Sequence, residues 1–166
     1  MNQVPSIWRT ELWHPMLVHF PVATLLLTTI AGFIMLFLKK GDAKTFLSNM
    51  TSLLLFIGVL TGWLGIYTGL LSYNIVVRQI CDPEVLQDHQ NWGYIAVILY
   101  SCALACLAVI RFWKKAPQML FTYTVLSLLL AGGTALGYCG HLGAAVVYQQ
   151  GGGTYTPSAN CTEFVR

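Results

Sequence analysis

The sequence predicts an all-α integral membrane protein, a four-helix bundle with both termini on the outer side. Three observations predict it. Of 166 residues, 56% are hydrophobic and only 9% charged, against roughly a quarter charged in a soluble domain. The apolar residues gather in four blocks, Val18 to Leu38, Phe46 to Leu71, Trp92 to Phe112 and Phe121 to Val147. Six of the nine basic residues fall in, or at the edge of, the two short loops after the first and third blocks: Lys39, Lys40 and Lys44, then Arg111, Lys114 and Lys115. Each block supplies the roughly 20 apolar residues that cross a bilayer as a helix, and backbone in lipid has to satisfy its own hydrogen bonds. Helices are expected over about 16–38, 46–71, 92–112 and 121–147, within one transmembrane domain covering 1–166.

The net charge of +3 is a topology signal rather than a nucleic-acid footprint. Short basic loops stay in the cytoplasm, which puts both termini and the loop from Ser72 to Asn91 outside. Five of the six acids, Glu11, Asp82, Glu84, Asp88 and Glu163, share that side. No basic stretch precedes the first apolar block, so a cleaved signal peptide is not expected.

Taken in order, the first block opens with His14-Pro15-Met16-Leu17-Val18-His19-Phe20-Pro21. Proline is tolerated in a first helical turn but not in an interior, so Pro15 and Pro21 predict an irregular start at the outer interface. The second block carries Gly58, Gly62, Gly65 and Gly69, and the fourth carries Gly133, Gly137, Gly140 and Ala144. Both sets run i, i+4, i+7, i+11, one narrow stripe at about 100° per residue. Small stripes let helices approach closely in membranes and also leave room for a flat cofactor. Their shared spacing suggests a pseudo-two-fold repeat of two helical hairpins, although two glycine-rich helices can also match by chance. Trp8, Trp13 and Trp92 fall in an outer aromatic belt and Trp113 in an inner one. The tail from Gln149, with Gly151, Gly152, Gly153 and Pro157, reads as a loop.

Cys81 in the outer loop and Cys161 in the tail can pair in an oxidising exterior; two free thiols are the alternative. Cys102, Cys106 and Cys139 lie within helices and read as small apolar packing residues.

All four histidines, His14, His19, His89 and His141, sit toward the outer ends of their helices. At about 1.5 Å per residue, His19 and His141 are each about twenty residues from the inner end of their block, with His89 slightly further out and His14 further still. Ionisable side chains at such depth are rare and often functional. Haem iron takes two neutral imidazoles from facing helices. His19 and His89 are the first choice of axial ligands, because the first and third helices are diagonal in an up-down bundle. His141 and His14 are second choices, for iron or for a propionate or quinone oxygen. Gly62, Gly65, Gly137 and Gly140 would lie against the porphyrin, and Arg9 or Arg78 near its propionates. Without Cys-x-x-Cys-His the haem would be non-covalent, of b type. Copper or zinc is the rival cofactor, since imidazole suits both, but His14 and His19 lie about 140° apart around a regular helix. Glu11 and Asp88 are better placed to orient histidines than to bind metal.

The opening His14-Pro15-Met16-Leu17-Val18-His19-Phe20-Pro21 resembles the HP-x-x-VHFP opening of a bacterial membrane family catalogued only as a domain of unknown function. Asp88-His89-Gln90-Asn91-Trp92-Gly93 is similar to that family's histidine-headed third helix, and Gly140-His141-Leu142-Gly143 with Val147-Tyr148 and Gly151 resembles its closing GH-x-GG…Y…G pattern. The sequence departs from that pattern at Ala144 and Gln150. The resemblance implies a bacterial inner (cytoplasmic) membrane location with periplasmic termini. Because members are found joined to cytochrome c-like or Rieske-type domains, it also implies a partner in electron transfer.

Two functional readings follow. One is a b-type cytochrome subunit that exchanges electrons at the outer face with a quinone or an outer cytochrome c. All candidate ligands share one level, so no second haem and no full transmembrane electron path are expected. The other is a non-redox membrane protein that binds copper or zinc or serves as a structural subunit. Transport is disfavoured because no acid or base lies at mid-membrane. Hydrolysis is disfavoured because neither Ser-His-Asp nor His-Glu-x-x-His is present.

Overall fold

The computed structural model describes residues 8–113 and 115–154, and all regular structure among them is helical. A 3-10 turn at Thr10–Leu12 leads into α1 (Trp13–Leu17), followed by α2 (His19–Phe37), α3 (Asp42–Val76), α4 (Pro83–Phe112) and α5 (Gln118–Ala144). Four segments are long and apolar enough to cross a membrane: Thr10–Phe37, Asp42–Val76, Pro83–Phe112 and Gln118–Gln149. Large apolar side chains such as Leu27, Ile30, Phe56, Leu60, Ile98 and Leu130 are exposed on their outward faces. A water-soluble monomer rarely shows so much contiguous apolar surface; facing lipid, it costs nothing.

Proline breaks the first span. Pro21 has no N–H to offer the Leu17 carbonyl, and the helix is interrupted at Val18, between α1 and α2. Backbone bonds Val18 N to His14 O (3.0 Å) and Val22 N to Val18 O (3.1 Å) carry the chain through the break. Pro15 is accommodated in the first turn of α1.

The helices run past their apolar blocks. α3 continues to Val76 and α4 begins at Pro83, so the connection expected from Ser72 to Asn91 shrinks to a few residues. Asp82 is the N-cap of α4 and its carboxylate accepts from Glu84 N at 3.0 Å, with Pro83 in the first turn. Cap and proline together are a strong local start signal, and they outweigh the polarity of the next several residues. α5 ends in a wide π turn, Ala145–Gln149. There Gly152 N donates to Val146 O (2.8 Å), and a Cβ on Gly152 would stand 3.0 Å from that same carbonyl oxygen. The Gln150 side chain accepts from Asp82 N at 3.1 Å, tying this turn to the start of α4.

α2 packs on α3, α3 on α4, α4 on α5, and α5 closes the ring on α2. The core is formed by Leu25, Leu55, Val59, Tyr100, Ala103, Val125 and Leu129. Tyr100 is fully buried, and its hydroxyl reaches across the bundle to Thr29 Oγ1 (2.7 Å) and Leu25 O (3.3 Å). A smaller cluster of Val76, Ile80, Leu86 and Val146 closes the end where the histidines lie.

Contacts repeat between the halves. His14 corresponds to His89, and Leu25 to Tyr100, at the same separation of 75 positions. On the partner helices Leu55, Gly58, Gly65 and Gly69 correspond to Leu129, Gly132, Cys139 and Gly143, at a separation one position shorter. Gly58 faces Leu25 as Gly132 faces Tyr100, with added Cβ atoms at 2.5 and 3.0 Å from those side chains. The glycine spacing in the sequence aligned Gly62 and Gly65 with Gly137 and Gly140, which is one residue out of step. One residue is about 100° of helix, so Gly137 and Gly140 point outward with nothing within 4 Å of an added Cβ.

Candidate functional site: a pair of oriented histidines

His14 and His89 come together at one end of the bundle. Their ring centroids are 5.9 Å apart and their planes are inclined at 79°. Both rings are half-buried, and each is held by the membrane-spanning segment that follows its own in the chain, α3 for His14 and α5 for His89. His14 Nδ1 lies 3.0 Å from Gly65 O, and His89 Nδ1 lies 2.9 Å from Cys139 O. A carbonyl can only accept, so each Nδ1 carries a proton, and in the neutral ring each Nε2 is then the nitrogen with the lone pair.

Glycine makes both approaches possible. Four residues beyond each accepting carbonyl, on the same helix face, lie Gly69 and Gly143. A Cβ on Gly69 would stand 3.2 Å from His14 Nδ1, and one on Gly143 would stand 2.9 Å from His89 Cε1. Cys139 completes the surroundings of His89: its thiol donates to His89 O at 3.4 Å, and its sulfur lies 3.5 Å from Nδ1.

The other expected site residues fall elsewhere. His19 follows the break at Val18 and is exposed. His141 is exposed as well, because it lies between Cys139 and Gly143 and so faces away from His89. It stacks on Tyr138 (6.3 Å, 30°), which meets Trp92 edge-on at 4.8 Å. Gly62 is buried against Val97 and Pro21, and Gly65 supplies the carbonyl to His14. Glu11 orients no histidine: it is buried and bonded to Arg9, with Nε to Oε1 at 2.6 Å. Asp88, Arg78 and Cys81 are exposed; Cys161 lies outside the described residues. A helix that begins near residue 16 would put His19 rather than His14 at the level of His89. The chain is helical from Thr10, which carries His14 inside the span. The position of Gly69 four residues after Gly65, matched by Gly143 after Cys139, was the sequence signal for the pair.

The donor set decides what such a site can hold. Among the described residues no three of His, Cys, Asp and Glu gather as a metal-binding group. A structural zinc ion takes four protein donors and a catalytic one three. Two imidazoles alone suit an ion whose remaining ligands come with it, as the four porphyrin nitrogens come with haem iron. The two rings lie 5.9 Å apart by their centroids and are inclined at 79°, near enough to one another to hold a single group between them.

A family model described as "Predicted membrane protein (DUF2231)" matches residues 12–156, a stretch that includes both histidines and both accepting carbonyls. No curated protein and no solved structure matches the chain.

Proposed function

For this chain, which belongs to the DUF2231 family of predicted membrane proteins, we propose the role of a b-type haem-binding electron-transfer subunit with His14 and His89 as the axial ligands. The observation that carries the reading is the pair itself: two half-buried imidazoles 5.9 Å apart, each with Nδ1 committed to a carbonyl, so that Nε2 is the ligating nitrogen of the neutral ring. Hydrogen bonds of this kind fix ring orientation and raise ligand basicity at metal sites. Bound there, haem supplies one-electron exchange. The protein holds the two rings, sets their tautomers, and limits water through Val76, Ile80, Leu86 and Val146, one or two turns further toward the same end. In this reading the histidine end is the periplasmic face of a bacterial inner membrane. The electron partner is then a quinone or a cytochrome c-like or Rieske-type protein at that face.

A second reading has one observation in its favour. Each histidine links two helices through a carbonyl, so the pair also serves as a structural clamp in a protein without a redox role. Copper or zinc in place of haem would take the same two imidazoles, with water completing the coordination of zinc or copper(II).

Absorption spectra of the detergent-purified protein, oxidised and reduced, separate these readings. The expected result is a Soret band with a sharp α band on reduction. Both are lost in His14→Ala and His89→Ala and kept in His19→Ala and His141→Ala. A protein without a Soret band after haem supplementation overturns the cytochrome reading and leaves the clamp.

A further inference from the structure

The opposite end of the bundle, where the basic loops lie, contains a cavity of about 420 Å³ bounded by α2, α3, α4 and α5. That is within the size range of small-molecule sites. Its lining changes character along the helix axis. Lys44, Asn49, Arg111 and Thr122 line it near the helix ends, whereas Leu55 and Leu129, both buried, form its floor. Leu36, Leu107 and Leu126 line the wall between them. Eleven residues separate Lys44 from Leu55, roughly 16 Å of helix.

The charge in this cavity has one sign. Among the described residues that line it there is no acid, and the ion pair among the described residues, Arg9 with Glu11, is at the other end. Lys44 Nζ donates to Leu38 O at 3.1 Å, just past the last turn of α2, which holds the ammonium at the cavity while leaving its other two protons for an acceptor. Arg111 closes the last turn of α4. A leucine floor disfavours water, and two unpaired cations at the mouth disfavour a wholly apolar occupant. The complement is an amphiphile with an anionic head and a hydrocarbon tail. Basic pockets between transmembrane helices take phospholipid head groups in this way.

We propose that this cavity binds one anionic phospholipid from the adjoining leaflet, its phosphate on Lys44 and Arg111 and one acyl chain against Leu36, Leu107 and Leu126. The inference is independent of the haem reading, because it concerns the opposite end of the bundle.

Native mass spectrometry of the full chain tests it. The protein is delipidated in mild detergent, then mixed with phosphatidylglycerol, with phosphatidylethanolamine of the same acyl chains, with a long-chain quinone, or with inorganic phosphate. One phosphatidylglycerol should be retained about 10- to 30-fold more strongly than phosphatidylethanolamine. Lys44→Gln with Arg111→Gln should bring the two lipids level, and Leu126→Trp, which fills the wall, should expel both. The single substitutions, each expected midway, decide the matter where the double variant disturbs folding. Equal retention of the two lipids, or phosphatidylglycerol retention that survives the double substitution, overturns the proposal. So does displacement of the lipid by inorganic phosphate alone or preferential retention of the quinone.

Discussion

His14 and His89 lie with ring centroids 5.9 Å apart and ring planes inclined at 79°, although they belong to different hairpins and each is oriented by its own. The His14 ring is set by Gly65 O and cleared by Gly69, and the His89 ring by Cys139 O and Gly143. The same relation of ring, carbonyl and glycine therefore occurs twice, and the two copies bring their rings side by side.

The glycines give the first prediction. Gly143→Ala and Gly69→Ala place a methyl group 2.9 Å and 3.2 Å from ring atoms backed by helix, and overpacking of this kind costs about 1–3 kcal/mol. Gly137→Ala and Gly140→Ala meet nothing within 4 Å and should stay within about 0.5 kcal/mol of wild type. Unfolding titrations in mixed micelles measure all four. Equal losses at the inner and outer glycines would contradict the packing described.

Tyr100 gives the second. Its hydroxyl bonds to Thr29 and Leu25 O in the middle of the bundle. Tyr100→Phe should cost about 1 kcal/mol, and Tyr100→Ala, which empties a site with no exposed surface, about 3–5 kcal/mol. A double-mutant cycle with Thr29→Val should return a coupling of at least about 0.5 kcal/mol. Additive losses would mean that the 2.7 Å contact contributes nothing.

The third concerns the start of α4. Asp82→Ala removes the acceptor of Glu84 N, a loss of about 1 kcal/mol. Amide hydrogen exchange should quicken in the first turn of α4 and stay unchanged in α2. Uniform quickening along the chain would show that the cap acts globally.

The fourth tests orientation. Cys81 is exposed in the connection between α3 and α4, at the histidine end. In a variant with Cys81 as its sole cysteine, a membrane-impermeant maleimide added to intact spheroplasts should label the protein. Labelling only after lysis would place the histidine end in the cytoplasm.

Much of the fold was legible because hydrocarbon thickness and the cost of unpaired backbone leave few solutions for four apolar blocks. Helix ends were less legible: apolarity stops near Leu71, but hydrogen bonding carries α3 to Val76. The small-residue stripe of α5 was displaced because glycine identity alone does not reveal phase. Gly132, Gly133, Cys139 and Gly143 face inward, whereas Gly137 and Gly140, which match the other helix letter for letter, do not. The expectation that histidines cluster at one end depended only on depth, whereas the partner of His89 depended on where a helix interrupted by Pro21 begins, and depth counting cannot supply that.

The hairpin-internal setting of each ring has a consequence for biogenesis. A nascent chain delivers its membrane segments in order, and the segment bearing His14 is followed by the one bearing Gly65 before any of the second half is made. The 2.9–3.0 Å bonds that orient each imidazole therefore have both partners in hand once its own hairpin is inserted, with no residue of the other half among them. Bringing His14 beside His89 is the step that needs both hairpins.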